Sequence, residues 1–129
     1  MLVALALAAS LAAQEAPGAR WVGFWTYDSC HEDRKPDHDK DTFCREGRDR
    51  LEIAKSSSGS WDIRLCPADP WGETGVGVDP SGRQLTFRTR DGLDVRLTIG
   101  EDPDHFRGVF RSGSGHSGRV WGRRLAACR

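Results

Sequence analysis

Apolar and polar residues alternate repeatedly between residues 51 and 99, and this pattern restricts that part of the chain to β-structure. Over Leu93–Ile99, a branched apolar residue occupies every second position, and Asp, Arg and Thr fill the positions between. A repeat of two residues places successive side chains on opposite faces of a strand, so each strand buries one face. The same repeat occurs in three shorter runs, at 51–53, 61–65 and 85–87.

Further segments complete a set of eight predicted strands. Phe106–Leu125 contains two runs of this kind on either side of a Gly/Ser cluster, a pattern typical of a β-hairpin. Trp21–Tyr27 is apolar or aromatic on both faces and is predicted to be the first strand, while Val76 and Val78 mark a weak one. Sequential strands usually pair, and closure removes exposed sheet edges. We therefore predict an all-β, eight-stranded antiparallel up-and-down β-barrel, with a two-sheet β-sandwich as the alternative.

The chain of 129 residues divides into a leader and one domain. Residues 1–13 are uncharged and apolar and end in small residues, which indicates a secretory signal peptide. Residues 14–19 contain Pro17 and Gly18 and are predicted to be a flexible lead-in. Residues 20–129 suffice for a single barrel domain, which we expect to be monomeric and secreted or periplasmic.

Four cysteines lie beyond the leader, an even number that predicts two disulfides in an oxidising compartment. They are Cys30, Cys44, Cys66 and Cys128. Asp28–Arg50 is crowded with charge and is predicted to be a long loop clamped by the first two, which leaves the last two to pair. In a strict meander, however, those two would be separated by about a strand length, roughly 20 Å, which a disulfide cannot span. Either the weak strand near Val76 is outside the ladder, or the cysteines pair differently.

Gly23-Phe24-Trp25 on the first predicted strand, with Arg123 and Arg124 on the last, resembles the signature of the calycin barrels. That group contains the lipocalins, fatty-acid-binding proteins and avidins. In it, the tryptophan of a Gly-x-Trp motif lies at the closed end of the barrel and a late basic residue packs over its ring. The resemblance implies that these residues close the barrel, Gly23 leaving room where it narrows. A guanidinium over an indole is favourable in any case. The short length and the lack of a C-terminal helix favour a compact, avidin-sized or generic lipocalin-like domain.

No catalytic or metal-binding constellation is predicted. His31 and His38 lie among carboxylates between two cysteines, but their spacing fits no common zinc pattern, so we predict no metal and no cofactor. Residues 115–118 resemble the nucleophile elbow of hydrolases, but Arg119 stands where that motif needs glycine, and strand leads to strand. We therefore predict that the protein is not an enzyme.

Two functions remain. Because 19 basic residues balance 19 acidic ones, we predict no nucleic-acid partner, and charged outward positions argue against membrane insertion. The first hypothesis is a module that binds a small apolar or amphipathic ligand inside the barrel. Its predicted lining residues are Trp61, Ile63, Phe87, Leu97 and Phe110. The alternative is a filled barrel whose loops bind a protein, as secreted enzyme inhibitors do.

Charge is unevenly distributed along the chain. Residues 83–129 hold ten arginines against five acidic residues, whereas residues 28–52 hold nine acidic against six basic ones. The two regions form either patches of opposite sign or cross-strand pairs of arginine with aspartate, and the pairs are favoured.

Overall fold

The computed structural model describes residues 18–33, 41–66 and 69–128 of the chain. Eight antiparallel strands, joined in chain order, form a closed barrel in which the last strand pairs with the first. This confirms the predicted barrel, and the two-sheet sandwich is wrong. A short 3-10 turn at Ala19–Trp21 precedes the first strand. The strands are β1 (Gly23–Asp33), β2 (Asp41–Lys55), β3 (Trp61–Leu65), β4 (Asp69–Val78), β5 (Gln84–Thr89), β6 (Leu93–Ile99), β7 (His105–Ser112) and β8 (Ser117–Leu125).

One end of the barrel, which we call the closed end, is filled with apolar side chains. The 3-10 turn lies there, and its Trp21 is fully buried. The centroid of the Trp21 ring lies 5.9 Å from that of the Trp25 ring and 6.5 Å from that of the Phe106 ring. Tilted aromatic rings at these separations attract each other beyond the effect of their buried area. Leucine and isoleucine from the strands fill the remaining space. The other fully buried side chains are Leu51, Ile53, Ile63, Leu85, Leu97 and Ile99.

Gly18 and Ala19 are the first residues that the structure describes. The predicted signal peptide lies outside the described residues, as does the predicted lead-in except for Gly18 and Ala19. Gly18 is buried against the ring of Trp61 and has a φ of 85°, a conformation that favours glycine. Ala19 begins the 3-10 turn. These two residues therefore belong to the closed end of the barrel.

The prediction of a long loop at Asp28–Arg50 is wrong, because much of that segment belongs to β1 and β2. These strands continue to Asp33 and from Asp41, and their register shifts between Tyr27 and Ser29. Beyond that shift, β1 continues with the polar residues Ser29, His31 and Glu32, which show no apolar alternation. The composition of this segment therefore concealed its strands.

Both disulfides are present. Cys30 faces Cys44 across the β1–β2 pair, with a Cα–Cα distance of 4.0 Å. Cys66 is bonded to Cys128, with a Cα–Cα distance of 5.7 Å. The expected strand-length separation is wrong, because β3 has five residues and ends part-way up the barrel. Its last residue, Leu65, is linked in register through β2 and β1 to Arg124 on β8. The ladder therefore retains β4, and Cys66 is level with the end of β8.

Glycine at two inward positions of β8 allows aromatic rings to lie directly on the backbone. The Phe106 ring covers Gly122 and the Phe110 ring covers Gly118. A methyl group at Gly122 would overlap the Thr26 carbonyl oxygen and lie 2.6 Å from a Phe106 ring carbon. The oxygen belongs to the paired strand, so a change of rotamer cannot relieve the overlap.

We expect Gly122→Ala to lower the free energy of unfolding by about 1 to 3 kcal/mol, the usual cost of overpacking a core. Gly113→Ala is the matched control, because a Cβ at Gly113 meets no atom within 4 Å. It should change stability by less than about 0.5 kcal/mol. Denaturant unfolding of both variants is the measurement, and coinciding midpoints would contradict the packing described here.

Candidate functional site

The closed end contains the contact that the Gly-x-Trp motif predicts. Trp25 is fully buried and lies opposite Arg124 in the β1–β8 pairing. The guanidinium carbon of Arg124 lies 4.8 Å from the centroid of the Trp25 ring, and this side chain also donates a hydrogen bond to the carbonyl of Arg20. One residue thus joins the first strand, the last strand and the 3-10 turn. Arg123 is exposed and lies opposite Thr26, so it takes no part in the stack.

The resemblance implies that Gly23 leaves room where the barrel narrows, but the structure shows a different role for this residue. A Cβ at Gly23 would meet no atom within 4 Å, so the residue does not leave room for a neighbour. Its φ of 135° is in the range that favours glycine, and it lies where the chain passes from the 3-10 turn into β1. Gly23 is therefore needed for the path of the backbone. The nearby indole nitrogens of Trp21 and Trp25 are buried without a hydrogen-bond partner among the described residues.

The opposite end, which we call the open end, contains a cavity of about 370 Å³. Inward-facing residues of β1, β2, β3, β4, β6, β7 and β8 form most of its wall, and the β5–β6 turn adds Asp91. His31 and Asp91 are exposed to solvent, so the cavity opens beside them. The lining residues are Tyr27, Ser29, His31, Asp49, Leu65, Trp71, Asp91, Leu93, Val95, Phe110 and Val120.

One side of the cavity is polar. The Tyr27 hydroxyl donates a hydrogen bond of 3.1 Å to Oδ2 of Asp49, the residue opposite it on β2. Ser29 is buried two positions further along β1. At the rim, the Thr89 hydroxyl donates to Asp91 and accepts the backbone N–H of Leu93 at 2.9 Å. The groups among these that line the cavity, on Tyr27, Ser29, Asp49 and Asp91, can exchange hydrogen bonds with a molecule inside the barrel.

The rest of the wall is aromatic and aliphatic. The Trp71 ring stacks on Tyr27, with a centroid distance of 5.2 Å and an angle of 24°. Phe87 supports the Trp71 ring from another side at 5.2 Å. His31 meets Phe110 edge-on at 4.7 Å near the opening. Such contacts orient the rings and leave flat apolar surfaces toward the cavity.

Of the five residues predicted to line a cavity, some lie at the open end and the others lie in the core or at the closed end. Phe110 lines the cavity, and Phe87 supports it through Trp71. Ile63 and Leu97 are fully buried in the core and do not line the cavity. Trp61 does not line it either, since it packs beside Gly18 at the closed end, where the Lys55 amino group lies 5.8 Å from its ring centroid.

The sequence analysis missed Tyr27, Asp49 and Trp71. Tyr27 could have been found, because it is two positions after Trp25 and therefore shares its inward face. Asp49 lies in the segment predicted to be a loop, and no apolar alternation around Trp71 indicates which face it occupies.

No group of three or more histidine, cysteine, aspartate or glutamate residues that could hold a metal occurs within the described part of the chain. His38 lies outside that part. The segment resembling a nucleophile elbow runs from the β7–β8 turn into β8. At this turn, the Ser112 hydroxyl oxygen accepts a hydrogen bond of 3.0 Å from the backbone N–H of His116. Among the helices that the structure describes, none is long and apolar enough to cross a bilayer.

No protein-family model matches this chain. No curated protein sequence matches it either. The cavity and its lining are therefore the basis for assigning a function.

Proposed function

We propose that the protein is a non-catalytic binding module that holds a small amphipathic ligand in the open-end cavity. The observation that carries the proposal is the cavity itself, whose volume of about 370 Å³ falls in the range of ligand pockets, roughly 300 to 1,000 Å³. A barrel evolved only as a packed scaffold would fill this space, since voids cost stability.

The wall chemistry favours an amphipathic ligand over a purely apolar one. The Asp49 carboxylate and the Tyr27 hydroxyl lie at one side, and a ligand that covered them without hydrogen bonds would lose affinity. A hydrogen-bond donor on the ligand can add a bond to this carboxylate, and charge-assisted bonds of this kind are strong. The apolar part of the ligand would lie against Trp71 and Phe110.

The closed end supports a calycin-like interpretation of the domain. The stack of Arg124 on Trp25, two residues after Gly23, is the contact between a Gly-x-Trp motif and a late basic residue that the resemblance implies. The two disulfides are consistent with an oxidising compartment, and we propose that the protein acts as a secreted or periplasmic monomer.

One observation favours the second candidate, a module that binds a protein through its loops. Phe43, on β2 close to the open end, exposes 60% of its surface. Exposed aromatic residues are enriched at protein interfaces. Protein binding through the loops does not require the cavity. A variant with a filled cavity should therefore lose ligand binding and keep protein binding.

The test is a fluorescence titration with 1-N-phenylnaphthylamine, a neutral and largely apolar probe whose single N–H can donate a hydrogen bond to the polar side of the cavity. We expect saturable binding to the wild-type protein at one site. Val120→Phe should abolish binding, because the added ring occupies the cavity that Val120 lines. Val109→Phe is the matched control, since Val109 lies on the outer wall with 54% of its surface exposed.

Trp71→Leu should weaken binding at least tenfold, because it removes the flat wall beside Tyr27 while keeping an apolar residue. Thermal unfolding of each variant establishes that it is folded. Equal affinities for Val120→Phe and Val109→Phe, both folded, would overturn the proposed site.

A further inference from the structure

The outer wall of β7 and β8 has a composition that the cavity does not explain. Its outward residues are mostly arginines around two apolar side chains. We call this surface the arginine face, formed by Arg107, Val109, Arg111, Arg119, Trp121 and Arg123. Arg107 pairs with Trp121 and Val109 pairs with Arg119. Apolar and basic residues therefore occupy opposite diagonals of a square on the wall.

The two apolar residues are exposed in the folded protein. Val109 exposes 54% of its surface and Trp121 exposes 39%. They are diagonal neighbours on adjacent strands, about 7 to 8 Å apart. Because a barrel wall is convex, they lie on its outermost ridge, where a flat surface can reach both without a complementary hollow. Exposed apolar groups in such a patch indicate an interaction site.

Among the residues that the structure describes, few acidic groups compensate the charge of this face. The expected pairing of arginine with aspartate across strands occurs at Arg88 and Asp94, where the ion pair measures 2.8 Å. That hydrogen-bonded guanidinium lowers the pKa of Asp94, so the carboxylate is ionised and its charge offsets that of Arg88. Arg119 is 4.0 Å from Glu32. Within the described residues, Arg107, Arg111 and Arg123 have no ion pair or side-chain hydrogen bond.

A groove of about 530 Å³ lies beside the ridge and extends this positive surface. Arg96 on β6 and Arg111 on β7 line it, together with the neutralised pair of Arg88 and Asp94. A second groove, of about 770 Å³, is lined by Trp121 and Arg107 together with Glu101 and Asp102. In the second groove, these carboxylates balance the basic residues. The first groove keeps a net positive charge.

We propose that the arginine face docks the protein on an anionic phospholipid surface. Guanidinium groups bind phosphate oxygens in a bidentate manner, and indole rings concentrate at the level of lipid headgroups. Each basic residue near such a surface contributes about a fivefold gain in affinity. Val109 and Trp121 enter the headgroup region while the surrounding arginines contact phosphates. The barrel adsorbs without crossing the bilayer.

Two other polyanions fit the face less well. Single-stranded nucleic acid needs successive aromatic platforms for its bases, and this face offers Trp121 alone. An acidic protein would need a surface shaped to a convex ridge, whereas a bilayer adapts to it. The whole chain has 19 basic and 19 acidic residues, so its net charge gives no overall attraction to an anionic surface. Docking therefore depends on the arginine face.

The test is sedimentation of the full chain with vesicles of phosphatidylglycerol and phosphatidylcholine in equal amounts. We expect binding to these vesicles, none to phosphatidylcholine alone, and weakening by salt. Arg107→Gln with Arg123→Gln should reduce affinity about 25-fold, from fivefold per arginine. Arg64→Gln is the single-charge control on β3 and should leave affinity within twofold.

Trp121→Phe adds a second readout. The wild-type protein should show a blue shift of tryptophan emission on binding, and this shift should disappear in Trp121→Phe. Equal binding to both kinds of vesicle, or no loss in the double arginine variant, would overturn the proposal. So would tight binding to heparin or a single-stranded oligonucleotide without vesicle binding, which would assign the face to a different polyanion. Probe binding in the cavity is independent of each of these outcomes.

Discussion

Replacement of Trp25 by alanine is expected to lower the free energy of unfolding by roughly 3 to 5 kcal/mol, the cost of truncating a buried tryptophan. Trp25 is fully buried and contacts Trp21 and Phe106, with ring centroids 5.9 and 5.6 Å away. Its loss would leave a void at the point where β1, β8 and the 3-10 turn meet. Urea unfolding followed by circular dichroism measures the effect. Trp25→Phe should cost less, since the indole N–H that it removes has no hydrogen-bond partner among the described residues.

The arginine that stacks on this ring should contribute less. Arg124→Gln should cost about 1 to 2 kcal/mol, because a cation–π contact is the smaller effect. Arg123→Gln is the matched control on the same strand and should change stability by less than about 0.5 kcal/mol. The losses at Trp25 and Arg124 should be non-additive, since contacting residues couple. A Trp25→Ala protein that unfolds like the wild type but loses probe binding would make Trp25 a recognition residue, and additive losses would contradict the stack.

Removal of the Cys66–Cys128 disulfide is expected to destabilise the protein by about 4 kcal/mol. This bond joins residues 62 apart in sequence, and a cross-link stabilises mainly by restricting the unfolded chain. The Cys30–Cys44 bond joins residues 14 apart and should contribute about 3 kcal/mol. Paired cysteine-to-serine variants, unfolded by denaturant, give both values.

The order of the two losses is the informative result. A larger loss for Cys30→Ser with Cys44→Ser would contradict the chain-entropy explanation. Peptide mapping without reduction tests the pairing directly, and a peptide linking Cys30 to Cys66 would contradict the connectivity described here.

Alternation identified most of the barrel because most strands bury one face. Leu93–Ile99 has buried residues at Val95, Leu97 and Ile99, with exposed residues between them, as its sequence predicts. The first two strands differ beyond Tyr27, where polar residues and a disulfide replace apolar alternation. Because this segment is crowded with charged residues, its composition alone predicts a loop.

The site was harder to predict for a geometric reason. Alternation tells which side chains point into a barrel, but not how far along its axis each one lies. Ile63 and Phe110 both point inward, yet Ile63 lies in the core and Phe110 in the cavity. Height depends on strand length and register, and β4 has irregular pairing on both sides, so the place of Trp71 was not predictable.

The unequal filling of the two ends has a consequence for motion. The apolar core, the stack on Trp25 and the link from Cys66 to Cys128 hold the closed end, so its amide hydrogens should exchange with solvent only on global unfolding. The cavity leaves the open end less completely filled, so we expect amide hydrogens there to exchange through local opening. In the proposed function, the ligand would enter and leave at this end while the rest of the hydrogen-bonded ladder remains intact.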